Sequence, residues 1–371
     1  MSSQGDSSTG KRFEKISGSN PYGNQNKLLW HMPRIHEFLS TGSTFPIQVE
    51  LNPTNNCNMA CKWCLTEYAR KNEDIDPDVL RKFLREFSEL GGISIDWTGG
   101  GEPSIYPHVD EAIQYAAEVG LKQGMMTNGL FKPSLIDTLV KHMTWVRFSL
   151  DSTNNDLYRE MKGVGPRALP RVMENMTAMC AQEKRPRIVA NVNLSMWNWP
   201  DLEQTVIDAR DCGVDGFQVR PVLPQPGGLV SDEEIGFYRD VVGKLDALKR
   251  HERDGFQLFL SYDKFMDMIS GDVYLRPYDR CQYHQFIVVL NANGDLCVCT
   301  HHLGDERFTF GNLYDQSVEE IWDSRRRKET LRYCDDELDF SECQVCCKGH
   351  ELNKLLHFIQ NPNPKSDPDF F

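Results

Sequence analysis

The stretch from Cys57 to Cys64 constrains this chain most, because it places three thiols on one short loop. Cys57, Cys61 and Cys64 have C-x3-C-x2-C spacing and follow an apolar run, Phe45 to Leu51, that predicts a strand. Soft thiolates suit iron–sulfur and zinc sites, and a four-iron cluster normally takes four cysteines. Three thiolates can hold three irons of such a cluster and leave the fourth open to an exchangeable ligand. From the spacing alone, structural zinc or buried free thiols remain alternatives.

Strand and helix patterns alternate six times after residue 45, which predicts a parallel sheet with right-handed crossovers. Helix signals between the strands include Asp76 with Pro77 at one N-terminus, and Gly120 and Gly213 as C-caps. Six such units form a partial (β/α)6 TIM-like barrel of the α/β class, with chemistry at the C-terminal strand ends. The predicted strands are 46–51, 93–97, 124–126, 145–150, 187–194 and 216–220.

Polar residues follow the second to fifth predicted strands, where a parallel barrel gathers its active site. Glycines without a Cβ allow a ligand to lie against the backbone, and a carboxylate can accept hydrogen bonds from an ammonium group. Taken singly, each of these residues is more often an ordinary cap or turn residue. In strand order they are Gly100, Gly101 and Glu102, then Thr127 and Asn128, then Ser149 and Asp151, and finally Asn193.

The C-terminal region carries a second group of cysteines. Cys281 and Cys299 flank a predicted β-hairpin with its turn at Gly294. Cys343 and Cys346 supply a C-x2-C pair. Four thiolates in two pairs can bind zinc or an iron–sulfur cluster, and spacing does not choose between them. The spare cysteines, any of which can replace a ligand, are Cys297, Cys334 and Cys347.

Together these motifs resemble the radical S-adenosylmethionine (SAM) superfamily. The resemblance implies that Cys57, Cys61 and Cys64 hold a [4Fe-4S] cluster whose open iron binds SAM. The Gly-Gly-Glu element that ends at Glu102 resembles the motif that holds the SAM amino group. The other polar strand ends resemble those that hold the SAM carboxylate and ribose. Trp63 matches the family's aromatic position near adenine, with a core tryptophan as the alternative.

The C-terminal spacing, C-x12-G-x4-C followed by C-x2-C, resembles the twitch domain, the shortened form of the SPASM auxiliary-cluster domain. The resemblance implies a second [4Fe-4S] cluster, held by Cys281, Cys299, Cys343 and Cys346. The predicted division is a flexible N-terminal arm, a radical SAM barrel, an auxiliary-cluster domain and a C-terminal tail. Their bounds are 1–25, 26–255, 256–350 and 351–371.

In this superfamily, reductive cleavage of SAM gives a 5′-deoxyadenosyl radical that removes hydrogen from an unactivated carbon. The twitch resemblance implies a dehydrogenase-like oxidoreductase. We expect it to oxidise an alcohol of a sugar or aminocyclitol substrate to a ketone, with the auxiliary cluster as electron acceptor. Arg220 on the sixth strand is the candidate to assist the alcohol proton, and structural ion pairing is its alternative role.

Three other functions remain open. A redox-neutral epimerase would use a spare cysteine as a hydrogen donor. A peptide-modifying enzyme is the second, although the lead-in of residues 26–44 is too short for a separate peptide-recognition domain. A zinc-binding scaffold is the non-enzyme alternative. The polar strand ends argue against it, because a scaffold has no need of a SAM-shaped pocket.

The net negative charge of the chain limits the classes of partner that we expect it to bind. The formal net charge is −13, so nucleic acid would need a local basic patch, and we expect none as a partner. No run of about 18 apolar residues predicts a membrane span. Residues 1–25 lack the apolar core of a signal peptide. Because the cysteines cluster in metal-ligand spacings, we expect a reducing cytoplasm and an electron donor such as flavodoxin or ferredoxin.

Overall fold

The computed structural model describes residues 25–270 and 276–361, and within them ten strands form one sheet. The order of the strands in this sheet is β10-β9-β8-β1-β2-β3-β4-β5-β6-β7. They are β1 Gln48–Leu51, β2 Ser94–Trp97, β3 Lys122–Thr127, β4 Trp145–Ser149, β5 Arg187–Leu194, β6 Gly216–Pro221, β7 Gln257–Leu260, β8 Ile287–Leu290, β9 Asp295–Cys297 and β10 Thr309–Asn312.

Twelve α-helices accompany the strands in the described part of the chain. None of them is long and apolar enough to cross a membrane. The predicted arm up to residue 24 and the predicted tail beyond residue 361 lie outside the described residues. The helices are α1 Met32–Thr41, α2 Pro77–Glu89, α3 Val109–Glu118, α4 Ile136–His142, α5 Asn155–Lys162, α6 Ala168–Cys180, α7 Leu202–Asp211, α8 Asp232–Val242, α9 Tyr262–Ser270, α10 Val318–Asp323, α11 Arg325–Asp336 and α12 His350–Gln360.

The partial barrel predicted from the strand–helix alternation is confirmed. Strands β1 to β7 pair in chain order, and every pair is parallel. The sheet is larger than six strands, because β7 adds to one edge and β8 pairs in parallel with β1 at the other. Strands β9 and β10 continue from β8 in antiparallel fashion. Four-residue strands such as β7 and β8 are too short for their apolar pattern to identify a neighbour.

Alternation along the barrel strands separates an apolar outer layer from a polar lumen. In β1, Val49 and Leu51 are fully buried in the main apolar core, whereas Gln48 and Glu50 line the lumen. The apolar stripe of α2 packs into the same core. Burying each such side chain stabilises the fold by about 1.5–3 kcal/mol. The outer layer therefore supplies stability and leaves the lumen free to carry polar groups.

The C-terminal region is attached to the barrel through the polar side of β1. The buried Glu50 carboxylate accepts hydrogen bonds from the Tyr283 hydroxyl (2.6 Å) and the Thr300 hydroxyl (2.9 Å). It also pairs with Lys348. One lumen carboxylate thus joins three separate segments of the C-terminal region to the first barrel strand.

Candidate iron–sulfur and SAM site

A cavity of about 1890 Å³ occupies the barrel lumen and brings most of the predicted site residues together. Those that line it are Cys57, Cys61, Trp63, Cys64, Gly101, Glu102, Thr127, Asn128, Ser149, Asn193, Arg220 and Cys346. The predicted residues outside its wall are Gly100, Asp151, Cys281, Cys299 and Cys343.

The loop of the first three cysteines rests on the end of α5. The Ala60 amide donates to the Lys162 carbonyl (2.8 Å), and the Lys62 amide donates to the Met161 carbonyl (3.0 Å). Gly163 ends this helix at a φ of 61°, and a Cβ there would lie 2.9 Å from the Ala60 carbonyl oxygen. A glycine is needed here because the helix end and the loop backbone approach so closely.

The loop thiols suit a metal cluster better than free thiolates. The pKa of Cys57 is raised to about 11, chiefly by burial and in part by the charges of Glu102 and Cys61. Without metal the Cys57 thiol holds its proton at neutral pH, and metal binding must displace it. No three or more His, Cys, Asp or Glu side chains among the described residues form a single-ion site. The thiolates of a four-iron cluster bind separate irons, so they need not converge on one point.

Arg70 is a residue of this site that the sequence analysis missed. Its guanidinium lies near the thiols of Cys64, Cys57 and Cys61. Burial acts to lower the Arg70 pKa, but the charges of Cys64, Cys57 and Cys61 outweigh it, and the pKa is raised. The guanidinium therefore provides a positive charge beside all three thiolates. No spacing rule links an arginine six residues beyond the motif to its cysteines.

Glu102 is the centre of a buried network between the ends of β2 and β3. Its carboxylate accepts from the Thr127 hydroxyl (2.6 Å), the Asn128 amide (2.7 Å) and the Ser104 amide (3.1 Å). Burial raises the pKa of Glu102, and the hydrogen bonds oppose that shift. A carboxylate fixed in this way is preorganised to accept from an ammonium group at the cavity wall.

The glycines before Glu102 allow a close approach to the cysteine loop. A Cβ on Gly100 would lie 2.3 Å from the Asn55 side-chain oxygen, and Gly100 is absent from the cavity wall. A Cβ on Gly101 would lie 1.9 Å from the Asn56 carbonyl oxygen. These glycines allow the β2 loop to pack on the cysteine loop, and the contact of Gly100 with the cofactor stays a prediction.

Asp151 is also not a wall residue. Its side chain is fully buried and pairs with Lys162 Nζ at 2.5 Å. Burial acts to lower the Lys162 pKa, but the Asp151 carboxylate outweighs it, and the pKa is raised. Lys162 lines the cavity and donates to the Ser149 hydroxyl at 3.3 Å. Asp151 therefore holds Lys162 in place, and the Lys162 ammonium group faces the cavity.

Trp63 and Arg220 both line the cavity, on different elements. The Trp63 ring lies 6.1 Å from the Trp197 ring between centroids. Its buried indole nitrogen has no hydrogen-bond partner among the residues that the structure describes. Arg220 Nε donates to the Asn193 side-chain oxygen at 2.7 Å. Burial and the nearby Arg147 lower the pKa of Arg220 to about 10, so the guanidinium stays charged at neutral pH.

The C-terminal thiols group differently from their spacing. The pKa of Cys281 and of Cys343 is raised to about 12, chiefly by burial and in part by the charge of Cys347. Cys299 is also near Cys347 and Cys281, and burial raises its pKa well above the usual range. The Cys346 thiol instead lies 3.7 Å from the Lys264 carbonyl oxygen. The structure therefore groups Cys347, and not the predicted Cys346, with the other three.

Known families match both halves of this arrangement. The Radical SAM superfamily matches residues 51–207, and the iron–sulfur cluster-binding SPASM domain matches residues 281–348. These ranges contain the first cysteine loop with its strand ends, and the C-terminal cysteines. The two [4Fe-4S] clusters and the SAM that these domains imply agree with the thiol groups and the buried carboxylate described above.

The individual relatives have low sequence identity to this chain, but the matches cover most of its length. The chain is 23% identical to the tungsten-containing aldehyde ferredoxin oxidoreductase cofactor-modifying protein of Pyrococcus furiosus, covering 74% of this chain and 80% of that protein. It is 23% identical to the antilisterial bacteriocin subtilosin biosynthesis protein AlbA of Bacillus subtilis, covering 78% of this chain and 63% of AlbA. It is 22% identical to the PqqA peptide cyclase of Xanthomonas oryzae, covering 75% and 74%.

A solved structure supports the fold. The crystal structure of Streptococcus suis SuiB bound to the precursor peptide SuiA has a TM-score of 0.60 and 18% identity. The match covers 95% of this chain and 81% of SuiB. The chain is therefore a radical SAM enzyme with a C-terminal SPASM-type iron–sulfur domain.

Proposed function

We propose that this radical SAM enzyme modifies a peptide. The proposal is supported by relatives whose names refer to bacteriocin biosynthesis and to a peptide cyclase, and by the likeness to a structure that holds a precursor peptide. The expected sugar or aminocyclitol substrate has no such support among these relatives. Peptide modification, which the sequence analysis ranked below sugar oxidation, is therefore our main reading.

The observation that carries the proposal is the polar chemistry of the lumen wall. The lumen, of about 1890 Å³, has the residues for the first cluster and SAM on the same wall as further polar groups. Among the buried polar atoms of the lumen wall, Asp96 Oδ1 and Asn191 Nδ2 have no hydrogen-bond partner within the described residues. One accepts and the other donates, and a peptide unit offers both an N–H donor and a C=O acceptor. Burying such groups unpaired is unfavourable, so a substrate amide would satisfy a need that the fold leaves open.

The residues of the chain divide the work as follows. When bound, the first cluster and SAM supply the radical that removes hydrogen from a substrate carbon. Glu102 accepts from an ammonium group, and Lys162 with Ser149 faces a carboxylate. Trp63 packs beside the adenine ring of SAM, as its match to the family's aromatic position implies. Asp96 and Asn191 orient the substrate amide, which keeps one carbon in reach and excludes water.

Arg220 has a positioning role in this proposal. A guanidinium that stays charged cannot accept the proton of an alcohol, so the expected acid–base role does not suit it. Its hydrogen bond to Asn193 fixes its direction in the lumen. We assign it to a substrate carbonyl or carboxylate, which its remaining N–H groups can bind.

The test compares substrate classes by label transfer. The reconstituted, reduced enzyme is incubated with SAM and either a perdeuterated peptide pool or a perdeuterated pool of sugars and aminocyclitols. Deuterium in 5′-deoxyadenosine, measured by mass spectrometry, reports which pool loses hydrogen. We expect label from the peptide pool alone. The variant with Cys57, Cys61 and Cys64 changed to Ala is the control without radical chemistry. Label from the sugar pool alone, or from neither pool, contradicts the proposal.

A further inference from the structure

We infer that Cys347, and not its neighbour Cys346, is the fourth ligand of the auxiliary cluster, together with Cys281, Cys299 and Cys343. This assignment departs from the C-x2-C spacing on which the sequence prediction was based. It does not depend on the class of substrate that the enzyme modifies.

The first step is that one helical turn holds two of these thiols. The Gly349 amide donates to Cys347 Sγ at 3.4 Å, and Asn353 Nδ2 donates to Cys281 Sγ at 3.6 Å. The Asn353 amide in turn donates to the Gly349 carbonyl at 2.9 Å. Because both donors belong to the first turn of α12, Cys281 and Cys347 lie at the same helix end. Donors of this kind stabilise thiolates that bind metal.

The second step is that Cys346 faces away. Its thiol is directed to the Lys264 carbonyl oxygen at 3.7 Å, on helix α9. Lys264 Nζ donates back to the Cys346 carbonyl at 3.0 Å. The charges that act most strongly on the Cys346 thiol are those of Lys264, Asp267 and Asp263. Contacts on both sides of Cys346 therefore hold it against α9.

The backbone conformation of Cys346 explains how two adjacent cysteines can point in different directions. Cys346 has a φ of 52°, a left-handed conformation that is unfavourable for a residue with a Cβ. Such a conformation persists only where the surroundings require it. Here the Cys346 thiol is directed to α9, whereas the Cys347 thiol accepts from the Gly349 amide. The two adjacent side chains therefore point to different places, and a ligand spacing of C-x3-C replaces C-x2-C.

The adjacent cysteines provide a matched pair of variants. Full-length Cys347→Ala and Cys346→Ala are reconstituted anaerobically, and iron, sulfide and the electron paramagnetic resonance (EPR) spectra are measured. With four irons per cluster, we expect Cys346→Ala to keep about eight irons, as in the native chain, and Cys347→Ala to fall to about four. The four that remain should give the SAM-sensitive EPR signal of the first cluster.

The variant Cys347→Ser distinguishes the loss of a ligand from misfolding, because serine keeps a small polar side chain at this position. We expect it to keep the native circular dichroism spectrum and a defective auxiliary-cluster EPR signal. Iron loss in Cys346→Ala with a normal Cys347→Ala would overturn the assignment and restore the C-x2-C ligand set. Full iron in both variants would also overturn it, because neither cysteine would then be required.

Discussion

At the residue scale, the groups that matter most are buried ionisable side chains whose pKa is shifted in opposite directions by burial and by a neighbouring charge. Asp96 is a lumen carboxylate on β2, 3.5 Å from Lys348. Burial raises its pKa to about 6, and the Lys348 charge offsets only part of that shift. Its second oxygen has no hydrogen-bond partner. A group kept in an unfavourable state by its own fold is a candidate for function rather than stability.

Asp96→Asn should therefore stabilise the folded enzyme at high pH and lower its activity. A raised carboxyl pKa means that stability is present below the unfolded value of 3.8 and is lost as pH rises through about 6. Asparagine carries no charge, so we expect its advantage in unfolding free energy to grow by about 2 kcal/mol between pH 4 and pH 8. Denaturant unfolding measures this. Label transfer from the peptide pool should fall at least tenfold. A pH-independent difference, or full transfer, would contradict the role given to Asp96.

At the element scale, two loops from neighbouring strands make the first site, and their backbones are in contact. Glycines after β2 allow that contact, since a Cβ on Gly101 would meet the Asn56 carbonyl oxygen at 1.9 Å. The Gly101 amide also donates to the Thr54 carbonyl at 3.1 Å. The geometry of the cysteine loop thus depends on a residue that holds no metal.

Gly101→Ala should separate these loops. Overpacking against backbone costs about 1–3 kcal/mol, and we expect slower iron uptake by the first loop during reconstitution. Gly236→Ala is the matched control, because no atom lies within 4 Å of its added Cβ. In α8 it should stabilise by about 0.5–1 kcal/mol through helix propensity. Equal iron uptake by both variants would show that the close contact is not needed.

At the scale of the whole molecule, Glu50 connects the barrel to the auxiliary region. It bonds Tyr283 and Thr300 and pairs with Lys348, the residue directly after Cys347. Burial acts to raise the Glu50 pKa, but Lys348 and the hydrogen bonds outweigh it, and the pKa is lowered. The carboxylate is thus charged in the fold, and two regions depend on that charge.

Glu50→Gln should loosen the C-terminal region. Glu50 is buried but the Lys348 side chain is 40% exposed, so removing the Glu50 charge should cost less than the about 3–5 kcal/mol of a fully buried pair. We expect faster hydrogen–deuterium exchange in residues 283–303 and 344–350, with little change in α7. Glu160→Gln is the control, since its side chain is 67% exposed in its pair with Lys62 and such pairs contribute about 0–1 kcal/mol. Uniformly faster exchange in Glu50→Gln would indicate global destabilisation instead of a local connection.

The amino-acid sequence alone determined the barrel, the cysteine loop and the family. Strand periodicity and cysteine spacing are local, and both are written in consecutive residues. The places of Glu102 and Thr127 on the cavity wall were predictable for the same reason, because both stand near the carboxyl end of a predicted strand. Side-chain direction within the last cysteine pair was not predictable, since the left-handed φ of Cys346 depends on contacts with Lys264, 82 residues away.

Only the tertiary structure decided which side chains meet. Lys162 comes from the end of a helix, and its position depends on a buried pair with Asp151. Arg70 and Asp96 follow no motif and become site residues only when β1, β2 and the C-terminal region close around one lumen. Burial of charge is a property of the assembled fold, because it depends on neighbours that are distant in sequence. For that reason the chemistry of the cysteine loop could be predicted from the sequence, whereas the residues of the substrate-facing wall could not.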